Sequence, residues 1–204
     1  MDKIDCHGIS GIILAGGLGR RLGYRNKALL ILGDKTIADY VRDALSEVTE
    51  NILLITNTPD EFVQFNLPMF SDIFLNSGPL GGIYSGLKNS KTGYNLVMAC
   101  DMPFIKSCLF RFLINNIDDN DIVIPVTPDG YHPLCAIYSK NCIEPIEHLI
   151  GLGELKVTNL FSYVKVKKVE FPDSDPDCDL KVFYNINTYE DYIRAISLFE
   201  DTIL

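Results

Sequence analysis

The chain has 204 residues, 47% hydrophobic and 22% charged, with a net charge of −9. That length favours a single domain able to bury roughly 70% of its unfolded surface. So acidic a chain is a poor general binder of nucleic acid, since it repels phosphate instead of releasing its counterions. No apolar stretch approaches the roughly 20 residues that cross a bilayer, and Met1–His7 lacks the basic start and apolar run of a secretory leader. A cytoplasmic location is expected.

In chain order, the apolar run from Gly8 to Ala15 reads as a buried strand ended by Gly16-Gly17. A glycine- and arginine-rich loop follows. Ala28 to Leu32 is a short apolar segment, closed by a Gly33-Asp34 turn. Thr36 to Val48 carries apolar residues at Ile37, Tyr40, Val41, Ala44, Leu45 and Val48, the spacing of a helix. Asn51–Thr56 is a second buried strand, and Phe70–Phe74 a short third. Gly81–Lys88 reads as a helix. Tyr94–Met98 is a strand ending at Ala99-Cys100-Asp101. A helix over Ile105–Asn115 and strands over Asp121–Val126 and Tyr131–Tyr138 come next. Asn141–Leu149 is a helix, and a shorter one starts near Glu154. Val164–Phe171 is a strand. Thr188 N-caps a closing helix to Glu200.

Strands alternating with helices imply an α/β fold, a three-layer α/β/α sandwich around a mainly parallel, mixed, Rossmann-like sheet. Ligands of such sheets bind beyond the carboxyl ends of the strands. Three polar clusters stand there: residues 16–27, Thr56-Asn57-Thr58, and Asp101. The six cysteines show no C-x-x-C spacing. Disulfides are not expected in a reducing compartment, and zinc spacing is absent. Pro172–Asp179 is acidic but lacks the glycine turn of a calcium loop, so a solvated loop is expected.

The first loop carries the chemistry. Gly16, Gly17 and Gly19 let the backbone come close to a ligand, and successive N–H groups there form an anion cradle. Arg20, Arg21, Arg25 and Lys27 place positive charge inside an acidic protein, suited to phosphate oxygens. The dinucleotide pattern fails because Leu22 stands where a glycine is needed. The P-loop pattern fails because Lys27 lies between Asn26 and Ala28.

The segments Leu14-Ala-Gly-Gly17, Arg20-Arg21-Leu22-Gly23 and Lys27 resemble the first loop of the nucleotidyltransferases, and within them the molybdenum cofactor guanylyltransferases. Gly78-Pro-Leu-Gly-Gly82, Cys100-Asp101-Met-Pro103, His132-Pro-Leu-Cys135, Gly151-Leu-Gly-Glu154 and Asn185-Ile-Asn-Thr188 are similar to that family's later motifs, in the same order. Leu22 replaces the usual methionine, Asn26 a common aspartate, and Leu155-Lys156 a basic pair.

The resemblance implies a nucleotide-diphospho-sugar transferase type of fold. Residues of about 9–126 would bind nucleotide and about 127–204 the acceptor. It also implies transfer of GMP from GTP to a molybdopterin-type cofactor, assisted by Mg²⁺ or Mn²⁺. Leu14, Ala15, Gly16, Gly17, Lys27, Asn57, Asp72, Gly78 and Asp101 would hold the nucleotide. Arg21, Lys27 and Asp101 would be catalytic, with Asp101 the metal ligand. His132, Lys156, Asn185 and Asn187 would meet the acceptor. Molybdoenzyme apoproteins or other cofactor-synthesis proteins are the implied protein partners. Simpler roles stand beside these: Asp101 as a helix N-cap, Asp72 and Asn57 as turn residues, and His132 as a structural side chain. Cytidylyl transfer to molybdopterin, nucleotidyl transfer to a sugar phosphate, and a catalytically silent nucleotide binder are the alternatives.

Overall fold

A computed structural model describes residues 8–16, 26–171 and 178–203. The first apolar run forms strand β1 (Ile9–Leu14), buried along its whole length. Side chains alternate across a strand. Ile9 and Ile13 therefore face one core, while Ile12 and Leu14 face another. Parallel neighbours flank β1: β4 (Ile52–Ile55) on one side and β6 (Tyr94–Ala99) on the other. β5 (Met69–Phe70) extends the parallel set beyond β4. Past β6 the sheet turns mixed. β9 (Cys135–Ser139) runs antiparallel to both β6 and β7 (Ile122–Thr127), and β10 (Val166–Glu170) is parallel to β7. The order is β10-β7-β9-β6-β1-β4-β5, with β8 (Gly130–Tyr131) paired to β7.

Helices cover both faces. α1 (Ile37–Ser46) and α3 (Ser107–Ile114) supply Val41, Leu45, Leu109 and Phe110 to the first core. α2 (Gly78–Asn89) and α4 (Ile143–Gly151) supply Leu80, Ile83, Ile146 and Leu149 to the second. α1 starts where Thr36 and Asp39 cap each other: the Asp39 N–H donates to Thr36 Oγ1 at 3.2 Å, and the Thr36 N–H to Asp39 Oδ2 at 3.0 Å. Such a capping arrangement contributes about 1 kcal/mol. α2 lies directly on β1: a Cβ on Gly86 would stand 2.5 Å from Ile12 Cγ2. The hairpin of β2 (Ile31–Leu32) and β3 (Lys35–Thr36) and the last helix, α5 (Tyr189–Ile203), close a smaller apolar cluster around Leu32, Ile37, Ile186 and Ala195. No helix among the described residues is long and apolar enough to cross a membrane.

The structure corrects several expectations. The apolar run Tyr131–Tyr138 is not one strand. It breaks at His132-Pro133-Leu134, where the Cys135 N–H closes a turn onto the His132 carbonyl at 3.0 Å. α2 starts at Gly78, three residues before the expected Gly81, because Pro79 fits a helix's first turn. The segment after Glu154 forms only a 3₁₀ helix, Val157–Ser162. Cys108 and Cys178 form a disulfide, against the expectation of none in a reducing compartment; their Cα atoms lie 6.1 Å apart across 70 residues of sequence. Cys6 and most of the acidic stretch 172–179 lie outside the described residues.

Candidate active site

The parallel strands β5, β4, β1 and β6 end on the same edge of the sheet, and each delivers one polar group there. The strand-end backbone is tied across the edge. The Ala15 N–H donates to the Ile55 carbonyl at 2.9 Å, the Thr56 N–H to the Phe70 carbonyl at 2.9 Å, and the Cys100 N–H to the Leu14 carbonyl at 3.3 Å. Leu14 and Ala15 are buried, so what they offer a ligand is backbone. Gly17 and Arg21, with Arg20 and Arg25, lie outside the described residues.

Asn57, just past β4, and Asp72, just past β5, grip each other. Asn57 Nδ2 donates to Asp72 Oδ2 at 2.8 Å, and the Asp72 N–H donates to Asn57 Oδ1 at 3.0 Å. The other carboxylate oxygen, Asp72 Oδ1, is buried without a partner among the described residues. The carboxylate stands over Gly16 and the start of α2. A Cβ on Gly16 would lie 3.8 Å from Oδ2, and one on Gly82 would lie 3.7 Å from Oδ1. Asp72 is therefore no turn cap, and both ends of the Asn57 amide are used to hold it. Gly78 opens α2 at φ +57°, a conformation that favours glycine and lets the preceding turn enter the helix beside this carboxylate.

Asp101 follows β6, at the middle of the sheet. α3 begins at Ser107 with Lys106 as its N-cap residue, so Asp101 does not cap it. Its Oδ1 is buried and has no partner among the described residues. Burial pushes this carboxyl above the ordinary carboxylate range, while the nearby Lys27 ammonium and the Asp101 N–H work against that rise. The Asp101 carbonyl accepts the Ile186 N–H at 2.9 Å, which brings the Asn185–Asn187 segment alongside. Lys27 Nζ donates to Asn187 Oδ1 at 3.1 Å. Lys27 starts a 3₁₀ turn in which Asn26 Oδ1 accepts the Ala28 N–H at 3.2 Å. The Asp191 carboxylate takes the N–H groups of Asn187 and Thr188 at 2.9 and 2.8 Å, and so fixes the same segment from α5.

Because β9 is antiparallel to β6, the residues entering β9 also sit at this edge. A cavity of about 260 Å³ opens there, lined by Asp101, His132, Asn185 and Asn187 together with Met102, Tyr131 and Leu134. His132 is held by Thr127 Oγ1 at 2.8 Å and stacks on Phe183 with ring centroids 4.3 Å apart. Burial lowers its pKa, with Asp129 opposing, which favours the neutral ring. Burial also pushes the Cys100 thiol up to about 12 and the Cys135 thiol up as well, which removes both as thiolate nucleophiles. Of the expected acceptor residues, Lys156 is exposed at the head of the 3₁₀ helix and does not line this cavity. Tyr131 does line it, although it belongs to no sequence motif.

The arrangement thus has two halves. Leu14–Gly16, Asn57, Asp72 and Gly78 form one side. His132, Asn185 and Asn187 form the other. Asp101 and Lys27 stand between them. Residues 11–166 match the family model described as the MobA-like NTP transferase domain. A molybdenum cofactor guanylyltransferase of Desulfosudis oleivorans is 36% identical, with 92% of this chain and 94% of that protein covered. A probable molybdenum cofactor guanylyltransferase of Clostridium perfringens strain 13 is 39% identical, over 90% and 93%. Among solved structures, molybdopterin-guanine dinucleotide biosynthesis protein A of Archaeoglobus fulgidus superimposes with a TM-score of 0.79 at 24% identity, over 94% of this chain and 99% of that one.

Proposed function

Because the chain belongs to the MobA-like NTP transferase family, we propose that it transfers GMP from GTP to molybdopterin and releases pyrophosphate. The acceptor's terminal phosphate attacks the α-phosphorus of GTP, and the bond to the β-phosphate oxygen breaks. Such a displacement is governed by positioning and charge neutralisation. The observation that carries the reading is Asp101, a buried carboxylate with one oxygen that has no partner among the described residues, set between two half-sites on one sheet edge.

Each group has a task that follows from its place. The backbone of Leu14, Ala15 and Gly16 borders the nucleotide, with Gly17 and Arg21 expected to continue that cradle. Asn57 fixes Asp72, which shapes the same side. Lys27, held by Asn187, places a positive charge next to Asp101, where phosphate charge gathers. His132, Asn185 and Asn187 face the acceptor; Lys156 joins them if the acceptor extends beyond the cavity. On this reading the chain up to about residue 126 serves the nucleotide and the remainder the acceptor.

The oxygens of Asp101 and Asp72 that have no partner among the described residues suit a divalent cation, Mg²⁺ or Mn²⁺, with Asp101 as its ligand. Among the described residues no group of three or more His, Cys, Asp or Glu side chains is placed to hold a metal. A cation here would complete its shell with phosphate oxygens and water, the habit of Mg²⁺. Bound there, it would neutralise charge on the reacting phosphates. We place the reaction in the cytoplasm, with product passing to molybdoenzyme apoproteins or other cofactor-synthesis proteins.

The test is pyrophosphate release with molybdopterin and Mg²⁺, comparing GTP, CTP and ATP. Release with GTP that depends on the acceptor is expected. Turnover with CTP alone would overturn the guanylyl assignment. Binding of GTP without any transfer would leave only a nucleotide-binding protein.

A further inference from the structure

Tyr131 is 43% exposed, yet its ring is fixed from two sides. It sits in the two-residue strand β8, paired to Val126. Phe161, from the 3₁₀ helix, meets it at a centroid distance of 5.8 Å and an interplanar angle of 81°. The Lys168 ammonium, from β10, lies 4.9 Å from the ring centroid, within the range of a cation–π contact. Two later elements, the 3₁₀ helix and β10, thus hold the Tyr131 ring at the rim of the cavity that contains Asp101.

Tyr131 lines the cavity and is part-exposed, so its side chain is within reach of what enters. The cavity, about 260 Å³, lies just below the usual range for small-molecule sites, roughly 300–1,000 Å³. That size suits one ring system rather than a whole dinucleotide. The nucleotide side is elsewhere on the edge, at β1, β4 and β5, so the ring in question belongs to the second substrate. The remaining wall can read the ring's polar edge. Asn185 lines the cavity, with its Nδ2 donating to the Phe183 carbonyl at 2.9 Å. The exposed Lys168 ammonium adds positive charge at the rim of an otherwise acidic protein.

We infer that Tyr131, backed by Phe161 and Lys168, is the platform on which the planar heterocycle of the acceptor stacks, with Lys168 favouring an anionic acceptor. This assignment rests on the acceptor reading of the cavity given above. It names Tyr131 and Lys168 as specificity residues, acting on acceptor binding and not on the phosphoryl step.

Two readouts test it on the whole chain. In the transfer assay, Tyr131→Ala should raise the acceptor KM roughly tenfold, the scale of losing one stacked ring. The KM for GTP should stay unchanged, and Tyr131→Phe should restore the wild-type value. Lys168→Gln should raise the acceptor KM about threefold at low salt, and less at high salt as screening grows. The second readout is quenching of the intrinsic fluorescence of neopterin monophosphate, a planar pterin with one phosphate, which needs no turnover. Wild type and Tyr131→Phe should bind it, and Tyr131→Ala should bind about tenfold more weakly, with stabilisation by GTP as the folding control. An unchanged acceptor KM in Tyr131→Ala, where the wild type transfers GMP, sinks the platform and leaves the transferase standing. Quenching that depends on Tyr131 in a protein that transfers no GMP sinks the transferase and supports the platform. A wild type that neither transfers nor binds the pterin overturns both.

Discussion

Asp72 and Asp101 look alike in outline: two carboxylates at the ends of parallel strands, each with one buried oxygen that has no partner among the described residues. Their surroundings differ. Asp72 has its other oxygen and its own N–H clamped by Asn57. Asp101 has no such side-chain clamp among the described residues, and burial raises its pKa against the opposing charge of Lys27. A clamped carboxylate is a fixed part of a wall. An unclamped one, held in a poorly solvated place, is stabilised by whatever cation arrives. On the proposed reading the work is divided: Asp72 shapes one side of the site, and Asp101, between the two sides, handles charge.

The largest effect should come from Asp101→Asn. Transfer should fall by at least about a hundredfold, on the scale of losing a main electrostatic group. The same change should raise the melting temperature of the protein free of ligand and metal. The sign follows from linkage: a carboxyl whose folded pKa lies above its unfolded pKa binds more protons when folded, so stability falls as pH rises between the two values. Removing the charge at neutral pH removes that loss. A drop in both activity and stability would make Asp101 a structural residue.

Lys27→Met comes next, with about a thirtyfold loss in kcat/KM as a charge-assisted contact to phosphate disappears. Without the ammonium, the acid limb of the pH–rate profile should move to higher pH, because among the described residues Lys27 and the Asp101 N–H are what offset the burial of Asp101. An unmoved limb would separate Lys27 from Asp101.

Asn57→Ala acts on the other carboxylate. It frees Asp72 without removing it, and the GTP KM should rise about tenfold, the size of a lost charged hydrogen bond, while kcat stays nearly constant. A change in kcat alone would place Asp72 in the chemistry. The smallest effect on turnover should come from reducing Cys108–Cys178. That bond anchors the segment whose Ile186 and Asn187 support Asp101 and Lys27. Reduction should lower stability by about 2–4 kcal/mol, measured by denaturant titration with and without reductant, and leave GTP binding intact.

The parts legible in the sequence are those fixed by local pattern. Buried strands ending at Gly16, Asn57 and Asp101 announce themselves by apolar runs followed by polar residues, and the sheet edge then brings those ends together. Thr188 is a cap that can be read from its position, and the Asp191 N–H does meet its hydroxyl at 3.1 Å. What pattern cannot show are contacts between distant elements. Asn57 and Asp72 are 15 residues apart and look like separate turn residues. Cys108 and Cys178 carry no spacing signal across their 70 residues. Tyr131 reads as part of one long strand until His132-Pro133 breaks the run, and its partners Phe161 and Lys168 come from elements with no shared motif. The pattern of donors at β6 and β9 depends on an antiparallel insertion that alternation alone does not reveal.

The most direct measurement is Mn²⁺ binding in the presence of GTP, followed by electron paramagnetic resonance in the wild type, Asp101→Asn and Asp72→Asn. The expected result is tight binding by the wild type, loss of binding in Asp101→Asn, and only a modest weakening in Asp72→Asn. Equal binding by the wild type and Asp101→Asn would contradict the role of Asp101 as the cation's ligand between the two substrates.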